Sequence, residues 1–397
     1  MDNITHSLFG YTLGKLAGKG PDQQQKGAIL TAIIGSNIPD LDFILQFISH
    51  RGQLAYLLQH RGYTHTLLLS FPLGILSAWL GSRLCGLDFK KAWWKLSLLG
   101  WVSVLLHICA DYGNNYGVHP FSPFLNQWFY ADSVYILEPF FWLTCLPLVF
   151  FSTHSKTLKV ISALLESVLL GLIWSRFATP FLIAVILTVW GCAFIYLQKK
   201  FKSPLVALCG ILIVYSSFFA GSRVAKKTIH TYLTINDPFL AQKDVSLTPA
   251  PGDPFCWTFQ TVGIDQKTDY VVRLGNLNLA PPWLPGKKCE LKSKDQLATP
   301  LNLVRLRNVI GLEWSGEFRR PLKELHDLEN QSCQFKAFLK FARIPVWYPS
   351  EHSWIMGDLR FDRGKGKGFA QIEFNSGDEC IKALPPWTPP TNWLLHQ

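Results

Sequence analysis

A chain of 397 residues in which 49% are hydrophobic and only 16% charged is not a disordered polypeptide, and its length suits two or three folded units. The formal charge of +11 would point to nucleic acid or an anionic surface only if the basic residues formed a patch. Much of the excess lies in short loops between apolar runs, where membrane orientation explains it, so no nucleic-acid partner is expected.

Residues 4–18, ITHSLFGYTLGKLAG, read as a short amphipathic helix with Gly10, Gly14 and Gly18 at four-residue intervals. After a polar turn (Lys19, Gly20, Pro21, Asp22), residues 27–38 again place small residues, Gly27, Ala28, Ala32 and Gly35, at helical spacing. Small residues let helix backbones approach closely, so the two segments predict a tight hairpin. Each arm covers at most about 22 Å, short of a hydrocarbon core of roughly 30 Å, and must be re-entrant or sheltered. Pro39 ends it, and Asp40 and Asp42 follow at once.

Residues 43–64 form a link that runs into HRGYTH, with His60, Arg61 and His65. Six apolar runs then predict spans at 66–85, 93–111, 134–152, 158–176, 180–198 and 204–221. Trp93, Trp94, Trp128, Tyr130, Trp174 and Tyr196 fall near their ends, as an interfacial aromatic belt would. Lys15, Lys19, Lys26, Arg83, Lys90, Lys91, Lys95, Lys156, Lys159, Lys199, Lys200 and Lys202 mark one side, against Arg51, Arg61 and Arg176 on the other. The first side is therefore expected in the cytoplasm. By alternation, His6, Asp40, Asp42, His60, His65, His107, Asp111 and Glu138 all emerge at the opposite face.

Residues 222–397 are more polar, with short alternating runs between Gly, Pro and Asp turns, and read as mainly β. The tail PPWTPPTNW from Pro385 reads as an extended arm. The expected fold class is mainly α: a polytopic helical membrane bundle over residues 1–221, then a mainly-β extracytoplasmic domain over 222–397. Cys85, Cys109, Cys145, Cys192 and Cys209 lie in apolar segments as small core residues. Cys256, Cys289, Cys333 and Cys380 can make two disulfides outside the cytosol, with three pairings open. MDNITHS carries an acid where a cleavable signal would be basic.

His107 and Asp111, four residues apart on a helix, share one face and can reach one cation. Ionisable groups closing an apolar span are functional by default. With His6, Asp40, Asp42, His60 and His65 they make seven candidate ligands, too many for one tetrahedral ion. Two or three divalent ions are expected, zinc before manganese or iron. Asp40, Asp42 and His65 are the expected catalytic residues, either aspartate serving as general base rather than ligand. Arg61 is a candidate to hold a substrate phosphate. His119 and Glu138 stand between ligand and scaffold, whereas His50 and His154 look incidental.

The ordered motifs MDNITHSLFGYTLG, IPDLD, HRGYTHTLL, LHICADYGNNYGVHPFSPF and VYILEP resemble the YdjM-type bacterial inner-membrane metal-dependent hydrolases. TPAPGDPFCW and GDLRF are similar to that family's outer domain. The resemblance implies a multi-pass protein of the bacterial inner membrane, with His6, Asp40, Asp42, His60, His65, His107 and Asp111 as its site. More distantly, the layout is similar to zinc-dependent phospholipase C, whose trinuclear site includes a His-xxx-Asp pair, and this implies phosphodiester chemistry. Two departures stand out: Glu138-Pro139 where the family has Asp-Pro, and Asn114-Asn115 in place of a threonine-glycine-like turn.

The first expectation is a membrane-bound metal-dependent hydrolase that cleaves a phosphoester or lipid-type substrate through a metal-activated water, with membrane lipid as its surroundings and potential substrate. The alternative is an ion or proton-coupled transporter, disfavoured because the ionisable residues gather at one face and no second set lies mid-span. A non-catalytic metal-binding membrane protein is the third reading.

Overall fold

The computed structural model describes residues 1–18, 22–44, 52–175, 180–281, 289, 297–362, 364, 368–375, 377–381 and 384–394. Lys19, Gly20, Pro21, His50, Arg51 and Arg176, used above, lie outside the described residues.

Helices α1 (Asn3–Ala17) and α2 (Asp22–Gly35) form the expected hairpin. Asp2 caps α1 by accepting from the Ile4 and Thr5 amides. The backbones touch: a Cβ on Gly14 would sit 2.5 Å from the Ile29 Cα, so only glycine fits there. A 3-10 turn, Ile38–Asp42, follows with Pro39 in its first turn, then α3 (Gly52–Gln59) and a second 3-10 turn, Tyr63–His65.

Next come α4 (Leu67–Leu84), α5 (Phe89–Tyr112), α6 (Pro139–Ser152), α7 (Lys156–Trp174), α8 (Phe181–Phe201) and α9 (Pro204–Asn236). Among the described residues, five helices (α4, α5, α7, α8 and α9) are long and apolar enough to cross a membrane, with mean hydropathy from 1.4 to 2.1. α7 leaves Leu158, Val160, Ile161, Leu164, Val168 and Leu172 exposed, as a lipid-facing helix does.

Besides an earlier start of α5 (Phe89, not residue 93) and a later end of α8 (Phe201, not residue 198), two span boundaries differ from the sequence expectation. The third span starts at Pro139, not at residue 134, because Glu138 caps the helix by accepting from the Phe140 amide. At 14 residues it is about 21 Å long and lies sheltered in the bundle, with Phe140, Phe141, Leu143 and Leu146 buried. The last span does not stop at residue 221. α9 continues through Ala225, Ile229, Tyr232 and Leu233, an apolar stripe at helical spacing that packs on the following sheet.

The C-terminal region contains a four-stranded antiparallel sheet, β1 (Ala241–Ala250), β2 (Asp253–Ile264), β3 (Asp269–Asn278) and β4 (Leu312–Pro321), paired in chain order. Strand alternation divides its side chains. Trp257, Phe259 and Leu277 face α9, while Val262, Tyr270, Val272 and Leu274 join a second core. That core also takes α10 (Leu322–Gln331), α11 (Cys333–Leu339) and a second antiparallel sheet, β5 (Pro345–Pro349), β6 (Trp354–Asp358) and β7 (Gln371–Phe374). Of the three open pairings, the structure has Cys256–Cys289 and Cys333–Cys380. The proline-rich tail is tied down: the Trp387 indole is 1% exposed and donates to the Leu58 carbonyl at 2.6 Å.

Candidate metal centre

Four separate pieces of chain converge at one end of the bundle. α1 brings His6, the Ile38–Asp42 turn brings Asp40 and Asp42, and the segment around the Tyr63–His65 turn brings His60, Arg61 and His65. The last turns of α5 bring His107 and Asp111 on one face. Ligand atoms of Asp40, His65, His107 and Asp111 lie within 4.8 Å of one another, and so do those of Asp40, Asp42 and His60. Asp40 belongs to both groups.

Hydrogen bonding on the far side of each ring sets what faces the centre. His107 Nδ1 lies 2.8 Å from the Ser36 carbonyl, which can only accept, so Nδ1 carries the proton and Nε2 a bare lone pair. His65 Nδ1 lies 3.0 Å from Thr64 Oγ1 and 3.8 Å from Asp42 Oδ2, which directs its Nε2 inward in the same way. The two Nε2 atoms are 3.0 Å apart. Asp111 Oδ2 lies 3.2 and 3.4 Å from them, and Asp40 Oδ1 lies 3.4 and 3.5 Å away. Two imidazole lone pairs and two carboxylate oxygens crowded together repel unless a cation lies among them. The donor set and its carbonyl-anchored histidine fit a divalent ion.

His6 stacks on His107 at 3.9 Å between ring centroids, and its Nε2 is 3.3 Å from Asp111 Oδ1. Neither His6 nitrogen makes a hydrogen bond among the described residues, which leaves both free to ligate. Asp42 takes hydrogen bonds from His60 Nδ1 (2.9 Å), the Arg61 amide (3.0 Å) and Thr64 Oγ1 (3.1 Å). It therefore orients the HRGYTH segment as well as facing Asp40. Burial pushes His65 down to about 4, against the pull of Asp40, so the ring is neutral near pH 7, the form that binds metal.

Arg61, with a left-handed φ of 59°, reaches back over the cluster. Its Nη2 is 3.1 Å from Asp111 Oδ1, its Nη1 donates to Asn114 Oδ1 at 2.9 Å, and its plane lies over the Tyr116 ring. Arg61 Nε has no partner among the described residues. The α-amino group of Met1 also pairs with Asp111.

His119 and Glu138, which stood between ligand and scaffold, separate. His119 sits between the Trp128 and Trp387 rings, both centroids 3.9 Å away, and its Nδ1 faces the Arg61 carbonyl at 3.4 Å. Burial lowers it to about 3, so it is a neutral wall behind Arg61. Glu138 lies in neither ligand group; its carboxylate caps α6 and accepts from the Gly252 amide at 3.1 Å. The longer glutamate thus bridges the bundle to the β1–β2 turn. Asn114 and Asn115 likewise gain a purpose: Asn114 holds Arg61, and Asn115 donates to Thr248 Oγ1 at 2.7 Å. Sequence reasoning left Asn114, Tyr116 and Trp387 without a role. The aromatic and asparagine content of YGNNYG was the available signal, but its partner lay over fifty residues upstream.

The family model for YdjM inner membrane protein matches residues 1–219. The chain belongs to the YdjM family. That match takes in every residue of the cluster, whereas β1 to β7 lie beyond it. Over 151 residues the chain is 30% identical to Uncharacterized protein YfhP of Bacillus subtilis (strain 168). That alignment covers 36% of this chain and 44% of YfhP, under half of the relative's length. No solved structure matches the chain. Membership of an inner-membrane family and five membrane-grade helices make this a multi-pass membrane protein with a buried Asp/His cluster suited to a metal.

Proposed function

We propose that this YdjM-family protein is a metal-dependent hydrolase acting on a phosphoester, a lipid headgroup being the nearest substrate class to hand. The observation that carries this reading is the pair of imidazole Nε2 atoms 3.0 Å apart, faced by two carboxylates, with an arginine at the rim. Mixed imidazole and carboxylate donors favour zinc, and two ligand groups joined at Asp40 favour more than one ion. Ions there would supply Lewis acidity and lower the pKa of water.

The residues of the chain divide the remaining work. Arg61, anchored by Asn114 and Tyr116, is placed to hold the phosphoryl oxygens through N–H groups aimed at the cluster. Asp42 is already engaged by three donors and keeps His60 and His65 in position. Asp40 Oδ1 makes no hydrogen bond among the described residues and is the better proton acceptor or bridging ligand. Metal-dependent phosphodiesterase activity on bis(p-nitrophenyl) phosphate and on phospholipid vesicles is the test. It should disappear in His65→Ala; ion flux across liposomes with no hydrolysis by the native protein would favour the transporter instead.

The basic-loop asymmetry and the two disulfides support a site and C-terminal domain on the extracytoplasmic side. A reporter enzyme joined to the C-terminus should be active outside the cytoplasm, and cytoplasmic activity would reverse the orientation.

A further inference from the structure

One end of the four-stranded sheet is held at the rim of the bundle. It carries the β1–β2 turn, the end of β3 and the start of β4. A Cβ on Gly252, in that turn, would meet Leu187 Cδ1 at 2.8 Å and Pro139 Cγ at 3.1 Å. Pro139 is the first residue of α6 and Leu187 lies about 9 Å along α8 from Phe181, so the turn is seated against the ends of two helices of the bundle. A Cβ on Gly221 of α9 would lie 2.8 Å from the Pro254 carbonyl, which sets the start of β2 close against that helix.

The same end bears a second turn, Ile310–Gly311, in front of β4. The Val309 and Leu312 backbones bridge across it, and Gly311 takes φ +85° against the Asn278 carbonyl, a place for glycine alone. The Asn278 amide donates to the Gly311 carbonyl at 2.6 Å, and the Leu279 amide to the Phe255 carbonyl at 2.8 Å. Phe255, Leu279 and Gly311 therefore lie in one row at the bundle end of the sheet. At this end Ile310 is 90% exposed, Val309 45% and Phe255 43%. Leu306 points inward onto the core shared with α9, and the Tyr232 hydroxyl donates to the Arg307 carbonyl, so the turn is held in place. Arg305 and Arg307 are exposed just behind the tip.

We propose that the Ile310 turn, with Phe255 beside it, is a foot that dips into the bilayer surface next to the bundle, its occupant being lipid with anionic headgroups. Exposed apolar residues at a turn held in place mark an interaction surface, and this one lies at the end of the sheet that is seated on the spanning helices. The charge close behind the tip is basic on balance, Arg305 and Arg307 against Glu313, which suits anionic headgroups. Ile310 leads, and Arg307 follows within about 10 Å, the distance over which acyl chains give way to phosphates. Arginines at that depth gain from anionic lipid. The foot would tether the C-terminal domain at a fixed height above the bilayer, independently of what the metal cluster does.

The test uses the full chain in nanodiscs containing phosphatidylglycerol, with Cys85, Cys109, Cys145, Cys192 and Cys209 replaced by alanine. A nitroxide is attached at Ile310→Cys or, as a control at the far end of the same sheet, at Lys267→Cys. The label at 310 should show a several-fold higher ratio of oxygen to nickel-chelate accessibility than the label at 267. Adding Arg305→Gln and Arg307→Gln should make it shallower. Equal, water-like accessibility at both positions would overturn the proposal. Strong spin–spin coupling at 310 would overturn it in favour of a second copy of the chain.

Discussion

Elemental analysis of a His107→Ala, Asp111→Asn double variant should find most of the bound divalent metal gone, where the native protein carries more than one equivalent. His107 Nε2 and Asp111 Oδ2 are two of the four donors around the shared point, and the Ser36 carbonyl fixes the imidazole tautomer. Removing an outer partner of a ligand typically costs 10–100-fold in metal affinity, and loss of two ligands should exceed that. Asparagine is the better choice at 111. Either change removes the charge facing Arg61, but the asparagine Oδ1 can still accept from the buried guanidinium, whereas alanine would leave that donor without an acceptor at this position and add to any unfolding. A monodisperse, folded variant with unchanged metal content would reject the assigned site.

The second large effect is expected at the joint between the bundle and the C-terminal domain. Arg343 is 5% exposed and grips Asp132 of the α5–α6 loop with two nitrogens, at 2.8 and 3.0 Å, and Asp244 of β1 at 2.6 and 3.0 Å. Burial alone would lower its pKa, but the two aspartates hold the guanidinium well above its ordinary range. Arg343→Met leaves both carboxylates short of a counter-charge and should destabilise the protein by about 3–5 kcal/mol, part of it recovered through Lys226, which is 2.7 Å from Asp132. Lys226→Met, removing a partly exposed partner, should cost only about 0–1 kcal/mol. Thermal unfolding together with limited proteolysis between the two regions measures both, and equal effects would refute the assignment. The sign with pH follows from Asp244, whose carboxyl burial would raise but Arg343 holds low. Its contribution is full above the unfolded value near 4 and is lost as pH falls through the depressed folded value.

Metal loss and loosening of the joint should be separable, because Asp132 is outside both ligand groups. Arg360 ties the two regions further: its Nη1 donates to the Asn115 carbonyl at 2.6 Å, four residues beyond Asp111. The C-terminal domain thus buttresses the loop that follows Asp111, the last residue of the Asp/His cluster.

Periodicity alone placed His107 and Asp111 on one helical face, separated apolar from polar halves, and marked the small-residue hairpin of α1 and α2. These features are local, encoded within one or two helical turns, and hydropathy reads them directly. The clustering of His6, Asp40, His65 and His107 was legible only as a shared side of the membrane; the 3.0 Å approach of the His65 and His107 Nε2 atoms, with Asp40 and His6 beside them, depends on how α1, α2, α4 and α5 pack. Two boundaries escaped the hydropathy reading for specific reasons. α6 begins late because Glu138 prefers capping, and α9 runs on because its stripe buries against a sheet that a membrane scale does not see. Tertiary structure likewise decided the Cys256–Cys289 and Cys333–Cys380 pairs, the seat of Trp387 on His119, and the structural duty of Glu138. Each joins residues far apart in the chain, and no period in a sequence reports which distant groups will meet.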